Sequence, residues 1–135
     1  PRSTQGVSSA ASDVYKRQLH GSAQYVIQNK DGQIEETESI SAGLDYPGVS
    51  PIHCFLKDAK RARYTSATDE EALDAFQIVS KLENISPSLE PCHAFAEAIK
   101  IAPKLSKDTV LCINSCGSSL KDSHIIKSRL GYYQE

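Results

Sequence analysis

Hydrophobic and polar positions along this 135-residue chain predict short strands in several places. Two β-favouring runs, Gln24–Gln28 and Gln33–Ile40, flank the turn sequence Asn29–Gly32, and Asp-Gly between such runs is a strong hairpin signal. A short strand is also predicted at Arg63–Ala67. Thr109–Ile113 is a continuous apolar run, which is typical of a buried parallel strand.

Helical periodicity is clearest in the middle of the chain. Thr68 and Glu71 stand three residues apart and predict a capping box. The helix that they open is predicted to run to about Glu83. Its apolar positions recur at helical spacing; they are Ala72, Leu73, Phe76, Val79 and Leu82.

Three further helices complete the predicted elements. Glu90–Ala102 has Pro91 in its first turn and is stopped by Pro103. Shorter helices are predicted at Ile52–Lys60 and Lys121–Leu130, the latter after a polar turn. Strands that alternate with helices indicate an α/β layer arrangement.

The segment Ser39–Pro51 has the composition of an ordered loop. Two glycines and two prolines exclude a regular helix or a central strand. Apolar residues are interleaved with them, so burial rather than flexibility is expected. Asp45 is its one carboxylate, and either it caps its own turn or it serves a site, because ordered loops on rigid scaffolds often carry function.

Composition excludes several classes of protein. The net charge is −2 and the basic residues are scattered, so a nucleic-acid partner is not expected. No apolar run reaches the roughly 20 residues of a membrane span, so no membrane partner is expected either. Four cysteines lack the density of a disulfide scaffold, which points to the reducing cytoplasm. The pairs His53-Cys54 and Cys92-His93 lack the spacing of a structural zinc site.

Residues 1–18 do not have the character of native protein. Ser8–Gln18 is what the adapter of a transposase-based sequencing library encodes, and Pro1–Thr4 matches the flow-cell end of the same adapter. We therefore interpret residues 1–18 as non-native and disordered, and exclude them from the domain that starts near Leu19. A reading frame that begins at such a boundary predicts that native sequence continues upstream.

Ser39–Pro51 and Pro87–Glu90 resemble segments of the tryptophan synthase β-chain family, and the resemblance extends from Leu19 to about Asp122. That family uses pyridoxal phosphate (PLP) to join indole to L-serine. The resemblance implies that residues 19–135 are the C-terminal portion of the large PLP-binding domain. The fold expected is an incomplete, three-layer α/β part of a fold-type II PLP enzyme, with an N-terminal β-hairpin.

The resemblance also implies roles for individual residues. Asp45 would form the salt bridge that closes the active site, and Glu90 would be the acid–base glutamate facing indole and the cofactor. Cys116 and Gly117 take the place of a Ser-Gly pair, whose serine hydroxyl hydrogen-bonds the pyridine nitrogen of PLP. The backbone carbonyls of Tyr46 and Gly48 would bind a monovalent cation, sodium or potassium.

Three interpretations of the whole chain follow. The first is a fragment of the β chain, inactive alone, because no lysine has the setting of the Schiff-base residue and no Gly-rich loop can cradle the phosphate. Its partners would be a tryptophan synthase α chain or fused α domain, a second β chain, indole and L-serine. The second is a non-catalytic binding or regulatory module with a native start near Leu19. The third is a diverged, inactive β chain, as the altered turn at Cys116–Leu120 suggests.

Overall fold

The computed structural model describes residues 14–131, which form two compact units. Within the described residues the first unit runs to Ser39 and includes Gly43–Ser66, and the second combines Ile40–Ala42 with the chain from Ala67 onward. These residues form one two-stranded sheet and four α-helices. This mixed composition agrees with the predicted α/β class. None of the described helices combines the length and apolarity that crossing a membrane requires.

The first unit contains an antiparallel hairpin of β1 (Val14–Leu19) and β2 (Ser22–Ile27). Its two-residue turn has positive φ at both His20 (53°) and Gly21 (80°), as a type I′ turn requires. The disorder expected for residues 14–18 was therefore wrong. Residues 1–13 lie outside the described part, so their predicted disorder and non-native origin stay predictions.

The hairpin predicted at Asn29–Gly32 forms only in part. The amide of Gly32 donates to the Asn29 carbonyl at 3.0 Å, and one bridge joins Gln28 to Ile34. The predicted strand Gln33–Ile40 does not continue beyond this bridge. Three glutamates in that run favour solvent over a ladder partner, which fits its early end.

Helix α1 (Pro51–Asp58) packs on β2 in the first unit. Ser50 caps it by accepting from the Ile52 amide at 3.2 Å, and Cys54 is its buried residue. The Tyr25 hydroxyl on β2 donates to the Asp58 carboxylate at 2.7 Å. The strand predicted at Arg63–Ala67 was wrong, because this segment has no regular secondary structure and lies in no sheet of the described residues.

The second unit contains α2 (Asp69–Glu83), α3 (Leu89–Ile101) and α4 (Ser123–Arg129). The predicted capping box is confirmed. The Glu71 amide donates to Thr68 Oγ1 at 3.2 Å, and the Thr68 amide donates to the Glu71 carboxylate at 2.8 Å. Helices α2 and α3 pack closely because small residues line their contact. The two buried clusters of this unit are Ile40, Leu73, Leu89 and Ile126, and Ala67, Ala75 and Ala96.

The apolar run Thr109–Ile113 is not a strand. Within residues 14–131 it pairs with no other strand and has no regular secondary structure. Val110 is 88% exposed and Leu111 40% exposed. A parallel strand needs a neighbour to satisfy its backbone groups, and the described residues supply none here.

Candidate functional site

Glu90 lies in the first turn of α3, and the sequence explains why the helix begins there. Pro91 has no amide hydrogen to leave unpaired at this position, and Leu89 is fully buried. Ser88 occupies the N-cap, but its side chain does not cap the helix. Instead Oδ2 of Asp122 accepts from the Leu89 amide at 3.0 Å. The helix is therefore capped by a residue from another part of the chain.

The turn that holds Cys116 and Gly117 is fixed against the segment before α3. The Ser88 hydroxyl donates to the Cys116 carbonyl at 2.8 Å. The Ser119 amide donates to the Ser86 carbonyl at 3.1 Å, and the two serine hydroxyls are 2.6 Å apart. The structure thus brings the predicted residues Glu90, Cys116 and Gly117 into one part of the second unit.

Gly117 is required by this turn. Its φ is +76°, a backbone conformation that residues other than glycine rarely adopt. A Cβ at this position would lie 2.8 Å from the Ser88 hydroxyl oxygen. The glycine therefore permits both the turn conformation and the close approach of Ser88.

Glu90 forms an ion pair with Lys121. The Lys121 ammonium lies 2.9 Å from each Glu90 carboxylate oxygen and 2.7 Å from Oδ1 of Asp122. Burial acts to lower the pKa of Lys121, but the hydrogen bonds to Asp122 and Glu90 outweigh it and raise that pKa above its ordinary value. Sequence reasoning did not identify Lys121 as the partner of Glu90.

Cys92 and Cys116 of the second unit differ in their surroundings. Cys116 is exposed. Cys92 is buried and donates to the Ser88 carbonyl at 3.1 Å. Desolvation, reinforced by the Asp122 and Glu90 carboxylates, raises the pKa of the Cys92 thiol to about 12. Cys92 is therefore a protonated thiol in the core.

The paired Cys and His residues do not come together as ligands. Nδ1 of His93 bonds the Leu89 carbonyl at 2.8 Å, and Nε2 lies 3.9 Å from the Asp69 carboxylate. Across residues 14–131 no group of three or more His, Cys, Asp or Glu side chains is arranged to hold a metal ion.

Asp45 belongs to the first unit, where its Oδ1 accepts from the Thr37 hydroxyl at 2.8 Å. The loop beyond it is fixed on β2. The Ile27 amide donates to the Pro47 carbonyl at 2.9 Å, and the Val49 amide donates to the Tyr25 carbonyl at 3.1 Å. Because these flanking groups both face β2, the Gly48 carbonyl points away from it. The prediction of an ordered loop is confirmed for this part.

Comparison with known proteins gives the family of the chain. No profile of a described protein family matches it. Tryptophan synthase β chains of Bordetella petrii and Bordetella bronchiseptica are 53% and 54% identical to it over 113 residues, which is 84% of this chain. The chain belongs to the tryptophan synthase β-chain family. The β chain of Roseobacter denitrificans gives the same result, at 53% over 114 residues.

The match covers only part of each relative. This chain spans 28% of the length of the tryptophan synthase β chains of both Bordetella species. The resemblance inferred from Ser39–Pro51 and Pro87–Glu90 is thereby confirmed at the level of the family.

Proposed function

We propose that this chain forms one part of the cofactor and substrate site of a tryptophan synthase β chain, the enzyme that condenses indole with L-serine. The observation that carries the proposal is the contact between Ser88 and Cys116. It joins the turn containing Cys116 and Gly117 to the first turn of α3, which bears Glu90. Ser88 and Cys116 are 28 positions apart in the sequence but are in contact. In this homologue of a PLP-dependent family, the segments that contain them therefore share one surface.

The residues present fit the ring side of PLP. When bound, the cofactor withdraws electrons from the amino-acid substrate and so permits replacement at its β-carbon. Cys116 is exposed at a turn held by Ser88 and Ser119, and a thiol there is small and able to share a weak hydrogen bond with a ring nitrogen. A neutral partner at this nitrogen favours β-replacement over other PLP chemistry.

The other roles concern carboxylates and carbonyls. Glu90 would exchange a proton with the substrate, since a carboxylate close to the reacting groups can serve as both acid and base. Asp45 would accept hydrogen bonds from an arginine of the closing domain. The Gly48 carbonyl, which points away from β2, and that of Tyr46 would bind sodium or potassium.

We further propose that these residues act only within a longer chain of fold-type II. Val110 and Leu111 form an exposed apolar segment that fits a strand position in a larger sheet. The whole protein would be a β–β dimer that associates with an α chain or α domain. Four unpaired thiols favour the cytoplasm as its location.

The test compares two proteins. The full-length reading frame that carries this sequence should gain a visible absorbance band when PLP is added, and should convert indole and L-serine to tryptophan. The 135-residue chain alone should do neither. A start codon near Leu19, together with cooperative unfolding of the isolated chain as a monomer, would instead support a non-catalytic module and overturn the proposal.

A further inference from the structure

An apolar stripe on α2 lies exposed within the described part of the second unit. Ile78 and Leu82 are one helical turn apart, so they share a face of α2, and they are 42% and 71% exposed. Beside Ile78, α2 and α3 enclose an open groove of about 230 Å³. Its lining includes the buried residues Ala75 and Ala96 and the half-exposed Ile99. The groove is therefore apolar, and its small buried residues leave room for a larger side chain.

Leu82 and Ala75 are complementary in shape. They are seven residues apart on α2, which is close to two helical turns, so both lie on the same face of the helix. In an antiparallel pair of α2 helices centred on Ile78, Leu82 of each copy lies opposite Ala75 of the other. Each leucine then enters the groove of the other copy, which is the reciprocal contact that a two-fold axis generates.

Asp74 and Lys81 are complementary in charge and are also seven residues apart on α2. Both are exposed, and within the described residues neither side chain has an ion pair or a hydrogen bond. The antiparallel pair centred on Ile78 also places Asp74 of each copy opposite Lys81 of the other. A parallel pair would instead bring like charges together, so the charges favour the antiparallel arrangement.

We propose that α2 is an interface between two copies of this chain, which pack antiparallel about a two-fold axis at Ile78. Leu82 of the second copy occupies the groove between α2 and α3, and two Asp74–Lys81 ion pairs flank the contact. Helix α2 has 15 residues and is about 22 Å long, so the interface is smaller than that of a tight complex. A weak dimer that depends on concentration follows, and its surface lies apart from the turn of Cys116 and Gly117.

Sedimentation equilibrium of the 135-residue chain measures this association. The chain should dimerise with a dissociation constant of about 10–100 µM. Leu82→Lys should raise that constant at least about tenfold, because symmetry places an ammonium group in both grooves. Leu120→Lys is the matched control, since Leu120 is 83% exposed and lies outside α2. A chain that stays monomeric up to about 1 mM, or equal weakening by both variants, would overturn the proposal.

Charge reversal tests the pairing of Asp74 with Lys81. Asp74→Lys and Lys81→Asp should each raise the dissociation constant by about threefold to tenfold, because each places like charges opposite one another at two symmetric positions. The double variant exchanges the two charges and should restore the original constant. Losses that add in the double variant would contradict the antiparallel contact.

A cross-link at Ile78 tests the position of the two-fold axis. A residue on the axis faces its own copy, close enough for a disulfide. With the exposed thiols removed by Cys112→Ser and Cys116→Ser, Ile78→Cys should form a covalent dimer on air oxidation. Glu70→Cys, at an exposed position near the start of α2, should not. An Ile78→Cys thiol that is shielded in the full-length chain without cross-linking would show that another part of that chain covers the stripe, and would overturn the proposal.

Discussion

The Ser88 hydroxyl donates a 2.8 Å hydrogen bond to the Cys116 carbonyl, and the same oxygen lies 2.8 Å from the place where a Cβ on Gly117 would stand. Ser88 thus holds the turn in place and also leaves no room for a side chain at Gly117. Because Ser88 directly precedes α3, this contact sets the position of the turn relative to Glu90.

Gly117→Ala should destabilise the second unit by about 2–4 kcal/mol, because strain at positive φ adds to a clash with Ser88. Urea unfolding followed by circular dichroism measures the change. Ser88→Ala removes the clashing oxygen, so Gly117→Ala should cost less in that background than in the unsubstituted chain. Equal costs in both backgrounds would show that the clash contributes nothing.

Thiol reactivity should divide the four cysteines into two pairs. Cys112 and Cys116 are exposed and should react with a disulfide reagent in the native chain, whereas Cys54 and Cys92 are buried and should react only on unfolding. The pKa of Cys92, about 12, keeps its thiol protonated at neutral pH. Mass mapping after brief labelling at pH 8 checks this, and early modification of Cys92 would contradict the structure.

The Glu71–Lys100 ion pair should make the second unit less stable in acid. The hydrogen bond from Lys100, then that from the Thr68 amide, lowers the pKa of Glu71 below 4.5. A carboxyl with a lower pKa in the folded state stabilises the fold above its unfolded pKa, and this contribution is lost as pH falls through the folded pKa. Unfolding free energy should therefore decline below about pH 4.5, and less steeply in Lys100→Met.

Glu71→Gln and Thr68→Ala separate the cap of α2 from its ion pair. Glutamine can still complete a capping box, so Glu71→Gln should lose the acid dependence and keep most of the cap. Thr68→Ala should cost about 1 kcal/mol at neutral pH. A similar loss in both variants at pH 7, measured by urea unfolding, would argue against separate contributions.

Val110→Lys should have opposite outcomes in two contexts. In the 135-residue chain Val110 is 88% exposed, so the unfolding free energy should change by less than about 0.5 kcal/mol. In the full-length chain the same change would place a charge in the proposed sheet and should cost several kcal/mol or prevent folding. Lys107→Asp, at an exposed position nearby, is the control. A full-length Val110→Lys protein of normal stability would contradict the strand assignment.

The helices could be predicted from the sequence because their signals are local. The Thr68–Glu71 capping box and Pro91 in the first turn of α3 act within four residues, and both are confirmed. The strands depend on partners far along the chain. β2 pairs with Val14–Leu19 through a His-Gly turn that lacks the usual Asn-Gly or Asp-Gly signal. Thr109–Ile113 has the pattern of a strand but no partner within the described residues.

The site was predictable only in part for the same reason. Glu90 and Cys116 were proposed as site residues by resemblance to a family. Lys121 lies 31 residues from Glu90, and no local pattern marks it as the partner of that carboxylate. The only local sign was a Lys-Asp pair at the start of a predicted helix, where a lysine is usually a solvated surface residue.

Tryptophan formation by a hybrid enzyme tests the central claim most directly. In it, the 113-residue stretch of the Bordetella bronchiseptica β chain that aligns with this chain is replaced by the corresponding residues of this chain. The account predicts that the hybrid binds PLP and forms tryptophan from indole and L-serine, and that Glu90→Gln in the hybrid lowers the rate by about 100-fold or more. A folded hybrid that binds PLP but forms no tryptophan would contradict the account.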